Sequence, residues 1–160
     1  MNTKKIVLFD IDNTLFNTLR FKQTDLNIFS LYEDAVETLT QLKEHAELGV
    51  FSEGDLAFQK KKLHKTNIEN YFLQEHTHIF PEKIHAIETL VRKYRTERYK
   101  VFLIDDKLSI LPVIKKEFPS LFTIWIKRGE YAPKQLPLDG FSPDAEVETL
   151  FEAIPLIINH

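Results

Sequence analysis

Two short apolar runs, about ninety-five positions apart, each end in a pair of carboxylates. Residues 6–9 lead into Asp10 and Asp12, and residues 101–104 lead into Asp105 and Asp106. A short, continuous apolar run is typical of a strand that is buried on both faces, as in a parallel sheet. Because ligands bind at the carboxyl ends of parallel strands, we expect the four carboxylates to converge at one edge of a sheet.

Either acidic pair alone has a simpler interpretation. Asp and Asn favour turns, so residues 10–13 also fit an ordinary polar exit from a strand. The second copy of the pattern favours a shared site, because like charges held close together repel and raise each other's pKa unless something positive compensates them. A divalent cation bound by carboxylate oxygens compensates them, and Mg²⁺ is the usual ion where phosphates are handled.

The composition limits the class of protein. With 160 residues, of which 43% are hydrophobic, the sequence fits a single globular domain over residues 1–160. A formal net charge of −3 gives no strong nucleic-acid signal, and the absence of cysteine excludes thiol catalysis and thiolate metal sites. The apolar run before Asp10 is too short for a signal peptide and no run approaches a membrane span, so we expect a cytoplasmic protein with no membrane partner.

Predicted strands and helices alternate along the chain. The predicted strands cover residues 6–9, 48–52, 77–80, 101–104 and 121–126. The predicted helices cover residues 33–44, 55–64, 81–94, 108–118 and 145–153. This alternation predicts an α/β fold, a three-layer, doubly wound (Rossmann-like) sheet of about five mostly parallel strands with helices on both faces.

Three of these segments resemble signatures of the haloacid dehalogenase-like (HAD) hydrolases. Residues 10–14, Asp-Ile-Asp-Asn-Thr, resemble the first signature, Asp-x-Asp-x-Thr. Ser52, after a short apolar strand, resembles the second, and the pair Asp105-Asp106 resembles the fourth. The order and spacing also agree, over roughly residues 5–131. The resemblance implies the HAD fold and phosphoryl transfer through an aspartyl-phosphate.

The third HAD signature is a lysine, and we assign it to Lys83. This residue follows Pro81 in the first turn of a predicted helix, where a cation faces the positive end of the helix dipole at a cost of roughly 0.3–1 kcal/mol. A lysine without a function would be more stable elsewhere on the helix. A mobile surface lysine is the alternative. Lys65 and the run Lys60–Lys62 are rivals, but they precede the third strand, and we expect the run to coat the solvated side of its helix.

The resemblance also implies a role for each residue. Asp10 is the expected nucleophile, and Asp12 the acid that protonates the leaving oxygen and then activates water. The backbone carbonyl of Asp12, the carboxylates of Asp10 and Asp106 and, less directly, Asp105 are the expected Mg²⁺ ligands. The groups expected to bind the phosphoryl oxygens are Ser52, Glu53 through its backbone, and Lys83.

The sequence departs from the HAD pattern at two positions. Many relatives have an acidic residue four positions after the metal-binding Asp, where this chain has Ile110. Glu53 stands where Asn is often found. Neither departure removes a catalytic group. Since dehalogenases do not use a second carboxylate as general acid, Asp12 favours a phosphatase.

The segments that hold cap domains in HAD proteins are short here. About seventeen residues, 16–32, separate the first signature from the next predicted helix, and we interpret them as a minimal lid. Phe16, Leu19, Arg20 and Phe21 are the candidate lid contacts. An open site fits a phosphorylated small molecule or an exposed phosphate on a larger molecule. The sequence is compatible with a monomer.

Two other functions also fit the sequence. A receiver-type signalling domain also uses acidic residues, Mg²⁺ and a lysine, here Asp10 and Asp12 with Asp55 as phosphoacceptor and Lys127. It leaves Asp105 and Asp106 unexplained. A HAD-fold binding module without turnover is the other alternative, although no catalytic position is visibly lost.

Overall fold

The computed structural model describes residues 3–160, and its centre is one parallel sheet. The strands are β1 (Lys4–Phe9), β2 (Glu47–Glu53), β3 (Thr77–Phe80), β4 (Tyr99–Asp105), β5 (Phe122–Ile126) and β6 (Ala145–Val147). They lie in the order β3-β2-β1-β4-β5-β6, and every neighbouring pair is parallel. The predicted α/β class is therefore confirmed, with six strands in the described residues where about five were expected.

Six α-helices accompany the strands within the described residues. They are α1 (Thr18–Gln23), α2 (Ala35–Leu42), α3 (Leu56–Lys65), α4 (Ile87–Tyr94), α5 (Ile110–Glu117) and α6 (Leu150–Ile158). Short 3₁₀ turns cover Glu69–Tyr71, Gln74–His76, Lys83–Ala86 and Ala132–Lys134. No helix among residues 3–160 has the length and apolar character needed to cross a bilayer.

Residues 6–9 of the central strand β1 are all apolar because both faces of the strand are covered there. Val7 and Phe9 belong to a core cluster with side chains from α2 and α6. Ile6 and Leu8 belong to a second cluster, with side chains from α4 and α5. Alternate residues of a strand point to opposite faces, so an unbroken apolar run is what a strand between two helical layers requires. The predicted three-layer arrangement is confirmed.

The C-terminal region differs from the prediction. Residues 145–147, expected to begin a helix, form β6, in which Ala145 pairs with Ile124 of β5. The helix begins only at Leu150, after a capping box in which Thr149 and Glu152 satisfy each other's free backbone groups. A three-residue strand carries too little periodicity to be distinguished from a helix start, and only its pairing with β5 defines it.

The helix expected from Pro81 also begins later than predicted. Residues Lys83–Ala86 form a 3₁₀ turn, and the α-helix starts at Ile87. Lys83 thus lies in a tight turn just beyond β3. This turn directs its side chain toward the carboxyl edge of the sheet, where the ammonium meets Asp10.

The lid segment, residues 16–32, is small. It contains α1, and an isolated antiparallel bridge between Phe16 and Leu31 joins its two ends. Phe16, Phe21 and Phe29 pack against one another, and Phe58 of α3 lies against the last two. The segment has no room for a separate cap domain, as the sequence indicated.

Candidate active site

Three carboxylates meet at the carboxyl edge of β1 and β4. Asp10 follows β1, Asp105 ends β4, and Asp106 comes next. The two strands are neighbours with Phe9 opposite Ile104, and the Asp10 N–H continues the pairing by donating to the Ile104 carbonyl at 2.9 Å. One oxygen from each carboxylate lies within 4.8 Å of the others. Of the four carboxylates expected to converge, Asp10, Asp105 and Asp106 form this cluster, whereas Asp12 lines the same cavity and is not part of the cluster.

Lys83 brings a positive charge into this cluster. Its buried ammonium donates to Asp10 Oδ1 at 2.7 Å and to Asp105 Oδ2 at 2.5 Å. The turn that carries it is fixed by Glu53, whose carboxylate accepts from the Lys83 backbone N–H at 3.0 Å. Lys83, which follows β3, therefore reaches across the end of β2 to hold the two carboxylates in place.

The cluster keeps an excess of negative charge despite Lys83. Burial, opposed by Lys83 and reinforced by Asp105, raises the pKa of Asp10 to about 6. Burial together with the charges of Asp10 and Asp105 raises the pKa of Asp106 to about 9. Burial alone would lower the pKa of Lys83, but Asp10 and Asp105 raise it above its ordinary value. Three carboxylates and one ammonium leave two negative charges when all are ionised, which a divalent cation would balance.

The donor set fits a hard divalent cation such as Mg²⁺, which prefers carboxylate and carbonyl oxygens. Both oxygens of Asp105 are engaged, one by Lys83 and the other by the Lys107 N–H at 2.9 Å. The carboxylates of Asp10 and Asp106 are the ones with an oxygen to offer to a metal. Asp105 is better placed to orient the site than to bind the ion.

The backbone of Asp106 is held by two side chains that the sequence did not single out. Trp125 Nε1 and Gln135 Nε2 donate to the Asp106 carbonyl at 3.0 and 2.8 Å. Gln135 Oε1 in turn accepts from the Leu108 N–H at 2.7 Å. Gln135 lies in an irregular segment without periodicity, so no local signal identifies it.

The side chain of Asp12 contacts three donors from the helices above the sheet. Lys62 Nζ and Thr18 Oγ1 lie 2.6 and 2.9 Å from its Oδ1. Gln59 Nε2 lies 2.9 Å from its Oδ2. The expectation that the run Lys60–Lys62 coats a solvated face is correct for Lys60 and Lys61, which are exposed, and wrong for Lys62, which is buried. Consecutive residues of a helix point in directions about 100° apart, so neighbours can be exposed and buried, and the sequence alone did not define which face of α3 points inward.

Ser52 and Glu53 end β2 next to the carboxylates. Ser52 is fully buried and its hydroxyl lies 2.9 Å from Gln59 Nε2, so it stands behind Gln59 and does not line the cavity. Its role in phosphate binding stays a prediction. Glu53 lines the cavity, and its carboxylate faces Lys107 at 3.5 Å as well as the Lys83 backbone.

The carboxylates open into a cavity of about 530 Å³. The predicted site residues that line it are Asp10, Asp12, Glu53, Lys83, Asp105 and Asp106. The lining residues that sequence reasoning missed are Asn13, Lys107, Ser109, Tyr131 and Gln135. They come from the loops after β1, β4 and β5, which meet at the same edge of the sheet.

The predicted lid contacts do not line this cavity. Phe16 and Phe21 are buried in the aromatic cluster, whereas Leu19 and Arg20 are exposed. The lid residue that crosses to the rim is Lys22. It forms an ion pair with Glu130 and lies 5.7 Å above the ring of Tyr131.

The residues that a receiver domain would use are separated in the structure. Asp55 caps α3 by accepting from the Phe58 N–H at 2.8 Å, and Lys127 pairs with Glu146. Neither lines the cavity around Asp10. The geometry does not favour the receiver alternative.

Comparisons with solved structures give one consistent result. A haloacid dehalogenase-like hydrolase from Burkholderia xenovorans has a TM-score of 0.74 and 19% identity, over 97% of each chain. The HAD-hydrolase YfnB from Bacillus subtilis, described as bound to magnesium, has a TM-score of 0.69 and 13% identity, over 99% of this chain and 100% of that one. A predicted phosphoglycolate phosphatase from Haemophilus somnus has a TM-score of 0.72 and 13% identity, over 98% and 99%. Dehalogenases are also among the similar structures.

This chain has the fold of the haloacid dehalogenase-like hydrolases, as its signature residues indicated. No protein-family model matches the sequence, and neither does any curated protein sequence.

Proposed function

We propose that this protein is a Mg²⁺-dependent phosphatase that hydrolyses a phosphate monoester through an aspartyl-phosphate on Asp10. The observation that carries the proposal is the position of Asp10, whose carboxylate lies 2.7 Å from Lys83 and beside Asp106 at the open edge of the sheet. A nucleophilic carboxylate needs a cation to neutralise the phosphoryl oxygens that it approaches, and Lys83 provides one within the site.

The chain supplies the groups for both halves of the reaction. The Asp10 carboxylate attacks phosphorus while the bond from phosphorus to the leaving oxygen breaks, and Asp12 gives its proton to that oxygen. Water then attacks the phosphorus of the aspartyl-phosphate, Asp12 takes a proton from the water, and Asp10 is released as a carboxylate. Lys83 stays protonated and neutralises charge on the transferring group in both steps.

Mg²⁺ would be held by the carboxylates of Asp10 and Asp106 and by the Asp12 carbonyl. When bound, it neutralises negative charge on the phosphoryl oxygens and on the carboxylate cluster. Asp105, with both oxygens engaged by Lys83 and Lys107, keeps the cluster oriented. One of the similar structures is described as bound to magnesium, which agrees with this choice of ion.

Asp12 supports a phosphatase rather than a dehalogenase, although both occur among the similar structures. Dehalogenation releases a halide, which needs no proton, whereas an alkoxide leaves well only when it is protonated. The Asp12 carboxyl lines the cavity and accepts hydrogen bonds from Lys62, Thr18 and Gln59, which supports a role for it at the leaving oxygen.

The size of the substrate is set by the rim. The cavity of about 530 Å³ is wide for a phosphoryl group alone, and none of the lid residues 16–32 lines it, although Lys22 contacts its rim at Tyr131. A small phosphorylated metabolite fits the cavity, and an exposed phosphate on a larger molecule would also have access.

The test is phosphate release from a panel of phosphate monoesters, with and without Mg²⁺, for the wild type, Asp10→Asn and Asp139→Asn. Asp139 is exposed and serves as the matched control. We expect metal-dependent turnover that Asp10→Asn reduces by about 10³-fold or more and Asp139→Asn leaves unchanged. A panel of 2-haloacids should give no halide.

Two results would contradict the proposal. Turnover by Asp10→Asn at the wild-type rate would exclude the aspartyl-phosphate. Phosphate binding without turnover of any ester, in the presence of Mg²⁺, would favour the binding-module alternative instead.

A further inference from the structure

Lys62 is a buried lysine with a single carboxylate partner among the described residues. Its side chain is 6% exposed, and its ammonium lies 2.6 Å from Asp12 Oδ1. The rings of Phe58 and Phe16 lie 4.7 and 5.2 Å from the same nitrogen. Burying an ammonium is costly unless it is paired, so the position of Lys62 is explained by Asp12 and the two rings.

Gln59 approaches Asp12 from the same face of α3. It is three residues before Lys62, which places both side chains on one side of the helix. Its amide nitrogen lies 2.9 Å from Asp12 Oδ2 and 2.9 Å from the Ser52 hydroxyl. Lys60 and Lys61, which point elsewhere, are exposed. The inward face of α3 therefore contacts the proposed acid–base carboxyl of Asp12.

Both carboxylate oxygens of Asp12 are thus fixed by side chains of α1 and α3, outside the loop after β1 that carries Asp12. Oδ1 accepts from Lys62 and Thr18, and Oδ2 accepts from Gln59. The side chain keeps 31% exposure and lines the cavity, so it remains accessible to a leaving group. A carboxyl group on a loop needs such support to stay within reach of the reacting oxygen.

We propose that Lys62, assisted by Gln59, is a positioning residue for the acid–base carboxyl of Asp12. The proposal rests on the phosphatase function proposed above. When Asp12 gives its proton to the leaving oxygen, the carboxylate that remains forms an ion pair with the Lys62 ammonium. Lys62 stays protonated, and the proton moves only between Asp12, the leaving oxygen and, in the second half, water.

This role predicts a dependence on the leaving group. An alkyl phosphate leaves as a strongly basic alkoxide and needs the proton from Asp12, whereas para-nitrophenolate leaves without it. Because kcat/KM reports the first half of the reaction, in which the leaving group departs, a residue that acts through Asp12 should lower kcat/KM for the alkyl ester and change it little for the aryl ester. A residue that merely stabilises the fold should affect both esters equally.

The experiment compares kcat/KM for an alkyl phosphate and for para-nitrophenyl phosphate in the wild type, Lys62→Met, Lys62→Arg and Lys61→Met. We expect Lys62→Met to reduce the alkyl reaction at least about tenfold more than the aryl reaction, within the range of general acid catalysis. Lys62→Arg should recover part of the lost kcat/KM for the alkyl ester, because it keeps the positive charge. Lys61→Met, next in sequence and exposed, should change neither reaction. Equal losses on the two esters would overturn the proposal.

A double-variant cycle tests whether Lys62 acts through Asp12. In the background Asp12→Asn, Lys62→Met should cause no further loss on the alkyl ester, because the group that it positions is gone. If the fold losses of the two single variants multiplied in the double variant, Lys62 would act independently of Asp12, and the proposal would be overturned.

Unfolding in urea gives a readout that does not depend on turnover. The midpoint shifts of Lys62→Met and Asp12→Asn should be clearly non-additive in the double variant, because the two side chains form one ion pair and Asp12→Asn leaves the buried Lys62 ammonium without its carboxylate. Additive shifts would show that the ion pair is absent in solution. A wild type that turns over no ester would overturn the proposed function and, with it, the positioning role of Lys62, while non-additive midpoints would still show the ion pair.

Discussion

The ammonium of Lys83 lies 2.7 Å from the carboxylate of Asp10, although 73 residues separate them. Lys83 follows β3 and Asp10 follows β1, with β2 between the two strands in the sheet. The contact is possible because the 3₁₀ turn beyond β3 is fastened to Glu53 at the end of β2. The ends of three strands thus contribute one group each to a single network of hydrogen bonds and ion pairs, which also reaches Asp105 of β4.

Lys83→Met should impair both activity and stability. Its loss removes the one ammonium that contacts Asp10 and Asp105 within the described residues, and breaking a buried pair costs about 3 kcal/mol of unfolding free energy. We expect kcat/KM to fall by about 10²–10³-fold, the effect of removing one electrostatic contact to the transition state. Urea unfolding and phosphate release measure the two effects. Lys116→Met, at an exposed position, is the control, and equal midpoints for the two variants would contradict the network.

Stabilisation by Mg²⁺ should increase with pH. In the metal-free protein the pKa of Asp10 is raised to about 6 and that of Asp106 to about 9, from an ordinary 3.8. From pH 3.8 up to the raised pKa of each group, the folded state holds a proton that the unfolded state has released. The contribution of these groups to stability therefore falls as pH rises. Mg²⁺ must displace the same protons, and its benefit is therefore larger at high pH.

The measurement for this prediction is the shift in Tm that saturating Mg²⁺ produces, compared between about pH 5.5 and about pH 8.5. The shift should grow with pH in the wild type and disappear in Asp106→Asn. Asp139→Asn should behave as the wild type does, since it lies outside the cluster. A shift that is independent of pH would argue against Mg²⁺ at these carboxylates.

The sheet and three of its site carboxylates could be predicted because their signals are local. Each apolar run that ends in Asp10 or in the pair Asp105-Asp106 indicates, within a few residues, both that the strand is buried and where it ends. The parallel geometry then brings these ends together. Lys83 was found through an unfavourable helix-start position, and its two carboxylates account for that position, even though the turn is 3₁₀ rather than α.

The residues that sequence reasoning missed depend on tertiary geometry. Lys62 lies in a run of three lysines, and only the orientation of α3 decides which of them is buried. Gln135 and Trp125 donate hydrogen bonds to the backbone carbonyl of Asp106, and no sequence pattern predicts such a contact. The strand β6 is defined by pairing with β5 alone. Such features become visible only when the sheet is assembled.

His78 should make the fold sensitive to acid. Burial, with smaller effects from Lys93 and His76, lowers the pKa of His78 from 6.5 to about 4. Its Nε2 lies 2.7 Å from the Tyr94 hydroxyl. Because the unfolded state takes up a proton near pH 6.5 and the folded state does not, the stabilisation is complete above that pH and is lost as pH falls toward 4.

The check for His78 is the unfolding free energy at about pH 7.5 and about pH 4.5 for the wild type and His78→Gln. The wild type should lose more stability than the variant over this interval. His85→Gln, whose side chain is 77% exposed, should lose as much as the wild type. Parallel curves for the wild type and His78→Gln would remove His78 as the acid-sensitive group.

Gly49 should tolerate no side chain, because it lies where β2 is crossed closely by the turn before β3. A Cβ at this position would be 2.2 Å from the His76 carbonyl oxygen and 2.9 Å from Leu8 Cδ2. The His76 backbone would have to move, so Gly49→Ala should cost about 3 kcal/mol of unfolding free energy, at the upper end for overpacking a core.

Gly140→Ala is the matched comparison, since Gly140 has no atom within 4 Å of its Cβ position and a φ of +73°. Its cost is limited to about 1 kcal/mol of backbone strain in the left-handed region. Urea unfolding of both variants separates the steric effect from the conformational one. If Gly49→Ala were no less stable than Gly140→Ala, the backbone of residues 74–76 would have to lie farther from β2 than the structure places it.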